Sequence, residues 1–275
     1  MMVRAAALIA LALAPAAAAA GEPLNGYVLA WSDEFDTPGL PDATRWTYDT
    51  HRNAQGWYNE EAQYYAASRP ENARVEDGKL IIEARKETLD NARFPDFGGQ
   101  NYTSARLLSA PTDWLYGHVV TRAKLPCARG TWPAIWMLPV ASDAGWPRGG
   151  EIDIMEHVGH TRGVIHGSVH TEAFNHIRNT HKTGTVNSAD MCDAFHDYSV
   201  TWTPDTVEMA MDGQPYFRFD NDGKGDRATW PFDKPFRLIL NIAIGGTWGG
   251  SKGIDDAAFP QRMEVEYVRF YRRPE

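Results

Sequence analysis

An all-β fold, two curved antiparallel sheets stacked as a sandwich or jelly roll, is what this sequence predicts. Three observations predict it. Short alternating or apolar runs recur along the chain, each is bounded by Gly, Pro, Asn or Asp, and no segment after residue 20 keeps a helical period for three turns. Two stacked sheets bury the apolar face of each, and a bent sheet leaves a groove suited to an extended ligand.

The elements follow in order. Residues 1–20, MMVRAAALIALALAPAAAAA, carry one arginine, an apolar run too short to cross a bilayer, and small residues before Gly21. That is the pattern of a cleaved signal peptide, so export is expected, to the periplasm or outside the cell. The mature chain, 21–275, is expected to be one domain, since no Pro/Ser-rich linker, long charge run or fixed-period repeat divides it. Strands are expected at KLIIEARK (79–86), YGHVVTRAKL (116–125), VIHGSVHT (164–171), HDYSVTWT (196–203), FRLILNIAI (236–244) and MEVEYVRFYR (263–272). Each is rich in β-branched or aromatic residues. Longer loops are expected at 87–102 and 174–195.

A formal net charge of -9 makes nucleic acid and anionic membrane unsuitable partners and favours a neutral ligand. Ten Trp and eleven Tyr are numerous for this length, and such rings either fill a core or stack on the C–H faces of sugars. A monomer is expected. The only cysteines are Cys127 and Cys192; in an oxidising compartment they could pair, and the sequence leaves that open.

The stretch GGEIDIMEHVG (149–159) bears the chemistry. Ile152 and Ile154 alternate with Glu151 and Asp153, which reads as a strand with one apolar and one acidic face. Strict alternation would turn Glu156 into the core. A β-bulge that fits Ile154 and Met155 into one pleat position returns Glu156 to the acidic face. The outer glutamates are then about four pleat steps, roughly 13 Å, apart at Cα, and side chains leaning together bring the carboxyls to about 5 Å. That separation suits a retaining glycosidase, with Glu151 as nucleophile, Glu156 as acid/base and Asp153 holding a proton in the cluster.

An E-x-D-x-x-E pattern arises by chance in roughly one chain in twenty of this length, so the neighbours decide. Trp132 and Trp136 in GTWPAIWMLP share a face if that run is a strand. His166 and His170 in VIHGSVHT share another, but Gly167 and Val169 indicate a strand rather than the helix a zinc pair needs. GGSKG (249–253) fits G-x-S-x-G without the following helix that a serine hydrolase requires. FDNDGKGD (219–226) lacks the closing glutamate of a calcium loop.

Taken together, SARLLSAPTDWLYGHVVTRAKLP, GTWPAIWMLP, GEIDIMEHVG, HGSVHT, FHDYSVTWTPD, PFRLILNIAIGG and VEYVRFY resemble, in this order from about Trp31 to Tyr271, the family 16 glycoside hydrolases, and most closely their bacterial endo-1,3-β-glucanase (laminarinase) branch. The resemblance implies a β-jelly-roll sandwich with a concave substrate cleft and a bulged E-x-D-x-x-E strand. It makes Glu151 the nucleophile, Asp153 the assisting acid and Glu156 the acid/base. It puts Trp132 and Trp136 against sugars on the non-reducing side of the cut, and Asn59, Arg106, His170 and Trp248 along the cleft. The implied substrate is a β-glucan with 1,3 or mixed 1,3/1,4 linkages; sister activities on this scaffold cut agarose or carrageenan, transfer glycosyl groups, or only bind glucan. No cofactor is required for the chemistry. A structural calcium, as many relatives carry, would fall on Glu34, the Gly78 carbonyl and Glu266.

Overall fold

The computed structural model describes residues 24, 26–110, 113–141 and 144–274. The expected signal peptide lies outside the described residues. Among the described residues seventeen strands run in the order β1 (Val28–Asp33), β2 (Trp46–Tyr48), β3 (Gln63–Tyr65), β4 (Ala73–Glu76), β5 (Lys79–Lys86), β6 (Tyr102–Ser104), β7 (Arg106–Ser109), β8 (Gly117–Lys124), β9 (Thr131–Pro139), β10 (Glu151–Glu156), β11 (Val164–His170), β12 (Lys182–Asn187), β13 (His196–Trp202), β14 (Thr206–Met211), β15 (Gln214–Asp220), β16 (Phe236–Ile244) and β17 (Gln261–Arg272). All six strands expected from the sequence are present, two of them with unchanged bounds.

The strands form two sheets. One has seven strands in the order β12-β11-β10-β9-β16-β7-β2; the other has ten, running β15-β14-β13-β8-β17-β5-β6-β3 with β1 beside β17 and β4 beside β5. Between them lies a single apolar layer that takes Ile135, Met137, Ile152, Leu238 and Leu240 from the first sheet and Leu80, Ile82, Val119, Met209 and Val265 from the second. Because side chains alternate across a strand, burying these residues turns Trp132, Trp136, Glu151 and Asp153 to the other face of the seven-stranded sheet.

Two expectations need correction. The sheets are not wholly antiparallel, since β3 and β6 pair in parallel. Segment 174–195 is not all loop, because β12 pairs along β11 from Val164↔Asn187 to Val169↔Lys182. Its sequence, KTGTVN, is polar because it forms the edge of its sheet and buries little. Glycine is needed here for close approach: a Cβ at Gly167 would sit 2.6 Å from Met209 Sδ, and one at its cross-strand partner Gly184 would sit 2.5 Å from the Tyr216 carbonyl. The glycine pair is thus a notch that lets β15 lie against this edge. Cys127 and Cys192 do form a disulfide, with Cα atoms 5.9 Å apart, fastening the turn before β9 to the segment between β12 and β13.

Candidate active site

The bulge lies where the phase of the motif requires it. Against β9, Asp153 pairs with Trp136 and Met155 with Ile135, so Ile154 is the extra residue. Against β11, Asp153 pairs with Ser168 and Glu156 with His166. Ile154 and Met155 are both fully buried, and Glu156 shares a face with Glu151 and Asp153. The Tyr216 hydroxyl, which reaches across from β15, donates to the Ile154 carbonyl, satisfying a main-chain acceptor that the bulge removes from the ladder.

Each acid is held by a ring. Trp146 Nε1 donates to Glu151 Oε2 at 2.9 Å, and Trp132 Nε1 donates to Glu156 Oε1 at 3.0 Å. His170 Nε2 lies 3.2 Å from Asp153 Oδ2 and 3.8 Å from Glu151 Oε1. Glu151 and Asp153 share a hydrogen bond. Asp153 is only 2% exposed. Burial, followed by the charge of Asp153, pushes Glu151 up to about 8. Burial, followed by the charge of Glu151, pushes Glu156 up to about 7. Asp153 is driven well above the usual carboxylate range by burial and then by the charge of Glu156. The set therefore keeps protons at neutral pH, the condition for one acid to donate while another attacks.

The expected cleft residues gather around this set. Trp248 meets Trp132 edge to face with centroids 5.3 Å apart, and His166 lies 5.0 Å from Trp248. Trp136 donates to Asn241 Oδ1 at 2.7 Å, and the Arg106 guanidinium lies 4.7 Å over its ring while pairing with Asp49 at 3.0 Å. Asn59 has a positive φ of 56° and is anchored by Thr247 N–H donating to its carbonyl at 2.8 Å. His170 stacks on His181 at 5.6 Å and meets His176 edge to face at 5.2 Å.

The calcium set is not a fit. Both oxygens of Glu34 are taken by Arg269 at 2.9 and 2.7 Å, and Glu266 is paired with Arg122 at 2.7 Å, so arginines already supply the positive charge an ion would bring. Ser251 of GGSKG sits in an exposed turn, not at a strand-to-helix elbow. A groove of about 470 Å³ lined by Trp31, Ser32, Thr44 and Arg45 carries none of the acids described above.

Sequence reasoning missed Trp146, Glu61, His176 and His181. Trp146 had a readable signal, an indole in the polar Gly/Pro-rich stretch AGWPRGG just before the acidic strand.

A curved sheet with paired carboxylates beside indoles is the apparatus of a glycoside hydrolase. Residues 60–269 match Glycosyl hydrolases family 16, and the chain belongs to that family. It is 49% identical over 254 residues to a β-glucanase of Rhodothermus marinus, covering 90% of this chain and 85% of that protein. It is 38% identical over 256 residues to a glucan endo-1,3-β-glucosidase of Cryptopygus antarcticus, covering 89% and 92%. Among solved structures it resembles SCLam, a non-specific endo-β-1,3(4)-glucanase, at 54% identity and a TM-score of 0.87 over 92% of this chain and 95% of the other. The laminarinase of Rhodothermus marinus matches at 48% identity and a TM-score of 0.84, over 90% and 98%.

Proposed function

We propose that the protein is an exported, monomeric endo-β-glucanase that hydrolyses 1,3-β- or mixed 1,3/1,4-β-glucan by double displacement with retention. The observation that supports it most is the bulged strand, which sets Glu151, Asp153 and Glu156 on one face with an indole donor on each outer acid. A module that only binds glucan has no need of this buried, like-charged set, whose ionised form is costly to hold.

In the first step a Glu151 oxygen forms a bond to the anomeric carbon as the glycosidic C–O bond breaks, and Glu156 gives its proton to the departing oxygen. Trp146 and His170 stabilise Glu151 as an anion, and Asp153, which burial drives well above the usual carboxylate range, holds a proton of its own. In the free site the outer acids titrate close together, about 8 and about 7. Positive charge growing at the anomeric carbon then favours ionised Glu151, and the leaving oxygen favours protonated Glu156. In the second step Glu156, now a carboxylate, takes a proton from water, whose oxygen bonds the anomeric carbon and releases Glu151. Asp153 donates to the departing carboxylate.

The paired cysteines agree with export. Among the described residues no helix is long and apolar enough to cross a membrane. Proton NMR of laminarin digestion over the first minutes tests the reading: β-anomer appears first, and α-anomer appearing first would overturn it.

A further inference from the structure

Beside the reacting acids lies a half-buried carboxylate that the reaction does not use. Glu61 follows the 3-10 turn Tyr58–Glu60 and forms a backbone bridge with Gly245 just past β16. A Cβ built on Gly246 would lie 3.3 Å from Glu61 Cγ and 3.4 Å from Trp132 Cζ3. The acid and the indole thus flank one point that only a glycine leaves open, and Gly246 also has a φ of +74°. Glu61 accepts from Gln63 Nε2 at 2.9 Å on one oxygen and from Asn59 Nδ2 at 3.4 Å on the other.

Both donors are neutral amides. Among the described residues no lysine, arginine or histidine closes on Glu61 as an ion pair, although the more distant field of Arg106 favours its charge. Burial pushes its pKa up, and its own charge contributes to raising Glu156. A carboxylate has about four acceptor positions, and amides fill two here. The two that remain can accept from a ligand.

We infer that Glu61 is a specificity residue whose carboxylate accepts hydrogen bonds from neighbouring hydroxyls of the glucosyl unit held beside Trp132, on the side of the cleft away from His170. The inference rests on the glucanase reading. Two adjacent equatorial hydroxyls present a donor pair that matches the two oxygens of a carboxylate. An axial epimer would lose one of these two bonds, which penalises it. Asn59, already bonded to Glu61, closes the same subsite.

The test compares the parent, Glu61→Gln, Asn59→Ala and the double variant by laminarin kinetics and by calorimetric titration with laminaritriose. Expected for Glu61→Gln is a rise in KM and in the dissociation constant of about tenfold, with kcat within about threefold and an unchanged melting temperature. The loss should persist in the Asn59→Ala background. Unchanged binding would overturn the inference, and so would a loss that disappears once Asn59 is gone, because Glu61 would then only orient Asn59. A parent that binds laminaritriose but turns over no β-glucan would sink the glucanase reading instead, while the titrations still decide the role of Glu61.

Discussion

Trp132 Nε1 donates to Glu156 Oε1 at 3.0 Å, so an indole read as a sugar platform also fixes the acid proposed to reach the leaving oxygen. Glu156 sits opposite Ala134, two residues along β9 from Trp132, and the bulge sets that spacing.

Replacing Trp132 by Phe keeps a ring but removes the donor. This bond holds Glu156 down, so without it the pKa of Glu156 rises further above the usual carboxylate range. The expected outcome is a kcat/KM loss of about tenfold or more, with the basic limb of the pH profile displaced to higher pH. An unmoved limb would show that the hydrogen bond does not act on the titrating acid.

Azide separates the roles of the two outer glutamates. Glu151→Ala and Glu156→Ala should each lose several orders of magnitude in turnover of an activated β-glucoside. Azide added to Glu151→Ala should occupy the nucleophile's position and give the α-glycosyl azide. In Glu156→Ala it should intercept the glycosyl-enzyme and give the β-azide. Exchanged anomers would exchange the roles.

Asp153→Asn should be more stable than the parent at pH 8 and equal to it at pH 4. The folded protein raises the pKa of Asp153 well above 3.8, so it binds this proton more tightly than the unfolded chain does. Its contribution to stability is complete below about pH 4 and is lost as the pH rises through the folded-state value. Asn imitates the protonated form at every pH. One pKa unit is about 1.4 kcal/mol, and each kcal/mol moves the melting temperature of a chain this size by about 2–4 °C. Calorimetric scans at the two pH values should differ by several degrees, while turnover falls.

The bond between Cys127 and Cys192 closes a loop with a sequence separation of 65. A loop of that length constrains the unfolded chain by about 4 kcal/mol in the chain-entropy model. Replacing both cysteines with serine should therefore lower the guanidinium midpoint measurably, and kinetics at 25 °C should be little changed because both lie away from the acids.

The main frame was readable because strands buried on both faces select apolar and β-branched residues in an unbroken run: LILNIAI and KLIIEAR carry their strand assignment in their composition. Glu156 was readable for the opposite reason, since an acid out of phase in an apolar strand has few stable explanations. β12 was not readable because an edge strand buries little, and its glycine matters only for what approaches it from the other sheet. The parallel β3–β6 pair was hidden because partner choice is a long-range property of three-residue strands. Glu61 and Trp146 are cleft residues through contacts made by loops, which periodicity does not register. The calcium ligands taken from resemblance met a local fact instead, two arginines already seated on those acids.

The extra residue at Ile154 makes the site asymmetric toward insertions and deletions. Removing Ile154 would restore strict alternation, Glu-Ile-Asp-Met-Glu, with all three acids still side by side. Adding one more residue before Glu156 would rotate that acid into the oily layer among Ile135 and Leu240. Genetic drift in the length of this strand is therefore a one-way hazard, in which shortening can be survived and lengthening ends the chemistry.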